Sequence, residues 1–197
     1  MALASWRSPL ARALHHNRSL TYSRYVQLAT VRLNGQPANR TIVFRGFLND
    51  TNQLRFITDS RSDKAEQVSQ QPWGEACWYF PNTREQFRLL GILTIVSAAH
   101  ADPALVKAQQ LQWQELSDTA RLQFAWSHPG KPRSDSDRFD PPSPDPVEPL
   151  PNFCLLLLDP IQVDHLELRG EPQNRHIYQR ESSTESHEEW SVRSVNP

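Results

Sequence analysis

Between residues 25 and 97 the chain sets down a cadence that only a sheet can satisfy. YVQLATVR (25–32), ANRTIVFRGF (38–47) and LRFITDS (54–60) are short, rich in β-branched and aromatic residues, and too brief for stable helices. NGQP (34–37) parts the first two, and its Asn-Gly pair accepts positive φ. The polar turn LNDTNQ (48–53) parts the second and third. A short helix follows at SDKAEQVSQQ (62–71), with Ser62 as N-cap and Ala65 and Val68 on its inner edge. GEACWYFPNT (74–83) and EQFRLLGILTIVS (85–97) are two more strands, parted by PNTR. The pattern predicts a meander of antiparallel strands.

Other elements flank this core. Trp6, Leu10 and Leu14 give helical spacing over 5–14. DPALVKAQQLQWQEL (102–116) is a helix with Asp102 as cap and Pro103 at the first position. SDTARLQFAW begins a second helix at Ser117. Residues 127–151 are polar and proline-rich, a loop or extended arm. NFCLLLLDPIQVDHLEL (152–168) is a long apolar strand, bent near Asp159-Pro160. RHIYQR and EEWSVRSVNP are closing strands joined by the polar hairpin ESSTESHE (181–188). The sum is one domain over 1–197, mainly antiparallel β with inserted helices, best fitted by a barrel.

Charge and motif content exclude several classes of function. The chain has 21 basic against 22 acidic residues, so no global field steers it to nucleic acid. No long apolar run spans a membrane, and the arginine-bearing N-terminus lacks a signal-peptide core. A cytoplasmic location is the simplest reading. Cys77 and Cys154 sit in apolar runs and read as small buried hydrophobes, not a disulfide. No histidine stands at metal-ligand spacing, so no metal site is expected. Neither a nucleophile elbow nor a Gly-rich phosphate loop is present.

Any anion site must therefore be local. Arg40, Arg45, Arg61 and Lys64 cluster within one strand–turn–strand–turn–helix unit. If the strands pair, Thr58 to Ser62 returns beside Arg40, and the helix offers its free N–H groups and positive dipole end there. A hydroxyl, that helix end, Lys64 and Arg40 together can hold one phosphate. Solvated strand ends are the plainer fate of such cations. Arg40 and Arg45, five residues apart, face opposite sides of a regular strand. One ligand uses both only across a bulge or between two subunits.

RTIVFRGF, LRFITDSRSDKAEQ and REQFRLLGILTIV, in this order and spacing, resemble the FMN-binding core of the pyridoxamine 5′-phosphate oxidase family. The likeness runs over roughly residues 25–197 and is looser at the far end, where Arg175 and the terminal EWSVRSVNP match the late Arg and the Trp-to-Pro ending. The small plant and cyanobacterial relatives are the most similar branch. The resemblance implies a split β-barrel and a homodimer with FMN in a cleft between subunits, acting on a small-molecule substrate. By position, Arg40 and Lys64, with Ser62, resemble the groups at the flavin phosphate. Ile42, Val43, Ile57 and Thr58 resemble the strand positions lining the flavin, and Gln86 the side chain reaching the ring. Arg175 takes the place of the late Arg. Arg45 stands where the oxidases have a Lys near the ring, a cation able to stabilise negative charge on reduced flavin. Trp78, Phe80 and Phe87 read as core that could also wall the site.

The departures lie on the substrate side. Glu171 and Gln173 stand where the oxidases carry Arg and His for pyridoxal, and Asp63 stands for a flavin-contacting Arg, with Arg61 the nearest substitute. No Tyr, Arg and Ser set for a substrate phosphate is found near 116–134. The resemblance thus implies FMN binding more firmly than oxidation of pyridoxamine phosphate. A deazaflavin, a non-catalytic flavin- or haem-binding module, and the oxidase activity itself are the other readings.

Overall fold

In the computed structural model, which describes residues 3–181 and 189–197, the expected hairpins form. β1 (Tyr25–Val31) and β2 (Pro37–Val43) pair antiparallel from Tyr25↔Val43 to Val31↔Pro37. Gly35 turns between them at φ +80°, where a side chain would be strained. β4 (Trp73–Phe80) pairs with β5 (Glu85–Val96), and β1 also pairs with β4.

β3 (Leu54–Asp59) departs from the meander. It pairs with the first half of β6 (Phe153–Glu167), from Leu54↔Leu158 to Asp59↔Phe153, and not with β2. The reason lies in Leu155 to Leu158, a run buried on both sheet faces that needs a strand at each edge. β5 supplies one edge and β3 the other. β6 bends as expected: Gly91 pairs with Pro160 and Leu90 with Gln162, leaving Ile161 as the extra residue of a bulge. At Gly91 an added Cβ would stand 2.1 Å from the Asp159 carbonyl oxygen, so only glycine fits. β7 (Asn174–Arg180) pairs with the second half of β6, and β8 (Trp190–Val195) with β7. The hairpin expected at 181–188 lies, from 182 onward, outside the described residues.

The result is one eight-stranded antiparallel sheet, ordered β2-β1-β4-β5-β6-β7-β8 with β3 also on β6. It curls, but its ladder is not closed. β2 approaches β3 only through the segment after Val43, where Arg45 N donates to Arg55 O, Arg55 N donates to Gly46 O, and Phe47 bridges Leu54. Its concave face holds the main core: Val26, Leu28, Phe44, Phe56, Leu89 and Leu156, with Trp78, Phe80 and Phe87 fully buried among them. Those three aromatics are core, not walls of the site. α1 (Arg7–His16) adds Trp6, Leu10 and Ala13 to this core. α2 (Asp63–Gln70) leans on β1 through Ala65, Gln67 and Val68.

α3 (Pro103–Gln114) and α4 (Asp118–Ala125) carry the capping the sequence predicts: Asp102 accepts from Ala104 N at 2.8 Å, and Ser117 from Ala120 N. Buried Arg121 donates to the Trp113 and Leu116 carbonyls, satisfying orphan groups at the end of α3. Trp113, Leu116, Phe124 and Phe153 form a second cluster with Ile57, fixing α4 beside the end of β3. Both cysteines are free. No helix is long and apolar enough to cross a membrane among the described residues.

Candidate functional site

A cavity of about 690 Å³, within the size range of small-molecule sites, opens between two walls of different construction. The first is built by regular elements. Thr41, Ile42 and Val43 end β2, Ile57 and Thr58 end β3, and Ser62 and Lys64 begin α2. Arg45 joins them from the segment where β2 passes β3. The second wall is Phe124 of α4 and the first part of the proline-rich arm: Trp126, His128, Lys131, Arg133 and Phe139. Trp126 meets Phe139 edge to face, their centroids 5.8 Å apart, and the Arg133 guanidinium lies 5.0 Å from the Phe139 ring.

The two strand ends and the helix start are locked together. Lys64 Nζ donates to Thr58 Oγ1 at 2.6 Å, and Ser62 Oγ donates to Asp59 O at 2.7 Å. Asp59 is held by Arg61, whose Nη2 lies 2.6 Å from Asp59 Oδ2, and by Asn152 Nδ2 at 2.8 Å. Arg61 and Asn152 also donate to the Phe124 carbonyl, which ties α4 to the β3 end. Arg61 is thus engaged by Asp59 and the Phe124 carbonyl and lies outside the lining of the cavity.

The electrostatics of this wall are one-sided. Burial lowers the Lys64 ammonium to about 8, and Arg40 pushes the same way, against weaker pulls from Asp59 and Cys154. Burial and nearby Arg24 also lower Arg45, whose Nε is buried without a hydrogen-bond partner. Asp59, the carboxylate in the lining, is raised by burial but pulled further down by Arg61 and Asn152, so it is already spent. What remains is an excess of positive charge in a chain whose formal net charge is −1.

Arg40, Gln86 and Arg175 lie outside the lining of this cavity. Arg40 faces opposite to Arg45, as alternation requires: it shares a face with Ala38 and Ile42, toward α2. Its Nη1 donates to Thr30 Oγ1 at 2.6 Å and to the Leu28 and Ala38 carbonyls, and its Nη2 to Gln67 Oε1 at 3.0 Å. The β2–β3 pairing that was to set Thr58 beside it does not form. Arg40 comes close enough to depress Lys64, but from behind the wall.

Gln86 and Arg175 lie on the convex face. One cross-strand row there runs Thr41, Gln27, Cys77, Arg88, Asp164 and Ile177. The next row holds Gln86, Leu166 and Arg175. At about 4.8 Å per strand, Gln86 is roughly 14 Å and Arg175 roughly 24 Å along the sheet from β2. Arg175 pairs with Asp164 through Nε–Oδ1 at 3.0 Å and Nη2–Oδ2 at 2.7 Å, and Arg88 pairs with the same carboxylate.

Some residues of the site were not foreseen. The aromatic and basic residues of the arm carry no periodic signal, and Gln67 and Thr30 are polar residues buried only by tertiary packing. On the concave side, Glu85, His165 and Glu167 gather within 4.8 Å, a set unmarked by sequence spacing because β5 and β6 bring it together. His165 Nε2 pairs with Glu85 Oε2 at 2.8 Å, and its ring stacks on Phe87 at 4.1 Å.

The chain matches the family described as pyridoxamine 5′-phosphate oxidase, FMN-binding domain, over residues 3–97. Pyridoxine/pyridoxamine 5′-phosphate oxidase 2 of Arabidopsis thaliana is 37% identical over 197 residues, spanning 99% of this chain and 98% of the relative. The crystal structure of a pyridoxamine 5′-phosphate oxidase-related, FMN-binding protein of Nostoc punctiforme superposes with a TM-score of 0.94 at 65% identity, covering 100% of both chains. PhzG of Burkholderia lata shares the fold at 17% identity, with a TM-score of 0.77 over 98% of this chain and 90% of that one.

Proposed function

Because this chain belongs to the pyridoxamine 5′-phosphate oxidase-related family of FMN-binding proteins, we propose that it binds FMN in the cavity between β2, β3, α2 and the arm and works as an oxidoreductase on a small molecule. The observation that carries this reading is the uncompensated charge of the first wall: Lys64 half-desolvated, Arg45 with an orphaned Nε, and the lining carboxylate Asp59 spent on Arg61. Among the described residues neither Lys64 nor Arg45 has an ion-pair partner, and both line the cavity, so the wall fits an anionic ligand.

The phosphate is assigned to Lys64, Thr58, Ser62 and the first N–H groups of α2, with Arg40 adding charge from behind. Ile42, Val43 and Ile57 offer an apolar edge for the flavin ring, and Arg45 places a cation beside it. When bound, FMN supplies two-electron redox chemistry, while the protein holds, orients and polarises it. Arg45 would favour the reduced, more negative flavin and so raise its potential.

Gln86 and Arg175 stand too far along the convex face to serve the cavity of their own chain. That face also carries the exposed rings of Tyr25 and Tyr79, 47% and 48% accessible. A homodimer packed through it would bring Gln86 and Arg175 of one protomer toward the cavity of the other. This is the dimer we assign, and with it the split barrel as the unit of the fold.

A second reading, a pyridoxine/pyridoxamine 5′-phosphate oxidase, is favoured by the full-length likeness to the Arabidopsis protein. Against it stand Glu171 and Gln173 in the place of the oxidases' Arg and His. The test is direct. The purified protein should be yellow, with a flavin band near ~450 nm; a colourless protein that takes up no FMN refutes the flavin reading. Turnover of pyridoxamine phosphate would select the second reading. After photoreduction, re-oxidation by none of a panel of acceptors would leave a binding module.

A further inference from the structure

Gln67 is a neutral amide, 7% exposed, on the face of α2 that packs against β1. Its Oε1 accepts from Thr30 Oγ1 at 2.6 Å and from Arg40 Nη2 at 3.0 Å, while Thr30 Oγ1 accepts from Arg40 Nη1 at 2.6 Å. The three side chains form a closed triangle that fixes the Arg40 guanidinium. Burying an amide and a hydroxyl here costs desolvation that an apolar residue would avoid, so the triangle needs a reason. Helix packing does not supply it, since Ala65 and Val68 already anchor α2.

Among the described residues no carboxylate lies within ion-pair distance of Arg40; Asp63, exposed on α2, is the acid whose field reaches it. A glutamate at position 67 would make the same hydrogen bonds, pair with Arg40, and sit three residues from Lys64 on the same helix face. It would keep the hydrogen bonds and cancel the charge. The amide holds Arg40 and leaves the charge intact, next to a lysine that Arg40 already disfavours.

We propose that Gln67 is a positioning residue of the anion site: with Thr30 it fixes Arg40 behind Lys64 as a second, uncancelled positive charge that acts on the ligand's phosphate. This rests on the reading of the cavity as a flavin site, and it concerns the phosphate end alone.

Flavin-free wild type, Gln67→Glu and Gln67→Leu would be titrated with FMN, riboflavin and inorganic pyrophosphate, and their thermal midpoints measured. A positioning role predicts that Gln67→Glu melts no lower than wild type, yet binds FMN and pyrophosphate about tenfold or more weakly, with riboflavin within about twofold. The salt dependence of FMN binding should flatten in the same variant. FMN affinity unchanged in Gln67→Glu, or FMN and riboflavin weakened alike in Gln67→Glu or Gln67→Leu, overturns the inference. Gln67→Leu should also lose FMN selectively, and if it fails to fold the glutamate variant still decides. Should wild type take pyrophosphate but neither flavin, the flavin reading fails, and the pyrophosphate ratio between Gln67→Glu and wild type still tests Gln67. Binding of none of the three probes by wild type overturns both.

Discussion

The sheet carries two groups of cations, treated in opposite ways. On the convex face, Arg88 and Arg175 converge on Asp164, a carboxylate only 4% exposed, and at the bend of β6 Arg180 pairs with Asp159 at 3.0 Å. At the cavity, Arg45 has an orphaned Nε, Lys64 meets only a hydroxyl, and Arg40 is held by an amide, a hydroxyl and carbonyls. The first group is neutralised where it stands. The second is hydrogen-bonded or desolvated but left charged. Compensated charge holds a fold together, whereas charge fixed in place and left uncompensated waits for a partner. The contrast separates ion-paired from unpaired arginines, which sequence alone shows as the same letter.

The sharpest way to break the contrast is Lys64→Ala. Removing a charge-assisted phosphate contact should weaken FMN binding by about 2–3 kcal/mol in a fluorescence titration, with riboflavin much less affected. Equal losses for both would move the phosphate elsewhere. Asp164→Asn should act on the other group, lowering stability to denaturant by about 2 kcal/mol, since both arginines are partly solvated and recover some hydration. Flavin binding per folded site is the control. The same carboxylate gives the acid limb its sign. Burial raises Asp164, but Arg175 and Arg88 overcome this and hold it low. Its contribution is therefore present above the ordinary carboxylate range and lost as pH falls through the depressed folded value. Asn at 164 should blunt that acid loss.

A pH titration sharpens the other side. Lys64 titrates at about 8 when folded against an ordinary 10.5, so between those values the unfolded chain keeps a proton that the folded chain has lost. Stability of the flavin-free protein gains from this group as pH rises through that window. Affinity for FMN should move the opposite way, full below about 8 and falling above it by about tenfold, because the ammonium is the binding form. Parallel curves would remove Lys64 from the phosphate. Smaller still is Arg45→Ala: with its Nε orphaned, stability should change by no more than about 0.5 kcal/mol while the reduction potential of bound flavin falls. Arg175→Ala should lower the melting of dilute protein modestly, because buried Asp164 then keeps only Arg88, and reduce FMN affinity only where the dimer forms, as checked by sedimentation.

How much of this was legible depended on whether the deciding contact was local. Asn34-Gly35, Asp102-Pro103 and Ser117 carry their signals within a few residues, and the hairpin and helices form where those residues place them. The partner of β3 was misread because Ile57 pairs with Leu155, nearly half the chain away, and only the double-sided burial of the Leu155 run decides it. Alternation told Arg45 from Arg40, which face opposite sides of the strand, but not that Ile42, on Arg40's face, also lines the cavity. The arm gave no such handle. Lys131, Arg133 and Phe139 lie in a stretch without period, and the arm is held by long-range anchors such as Trp113 Nε1 donating to Asp145 O at 2.9 Å. The family's late motif implied Arg175 near the cofactor, whereas within one chain it lies outside the cavity lining, five strands from β2.

The crowding at Gly91 has reach beyond its own turn. Upstream of the kink, the long strand belongs through β3 to the ligand cleft; downstream, through β7, it belongs to the convex surface assigned here to the second protomer. A lone methylene at that hinge would collide with the opposing carbonyl and re-aim one half against the other. In the dimer proposed above, how squarely each copy presents its side chains to the other's cleft is thus governed by a position that touches neither.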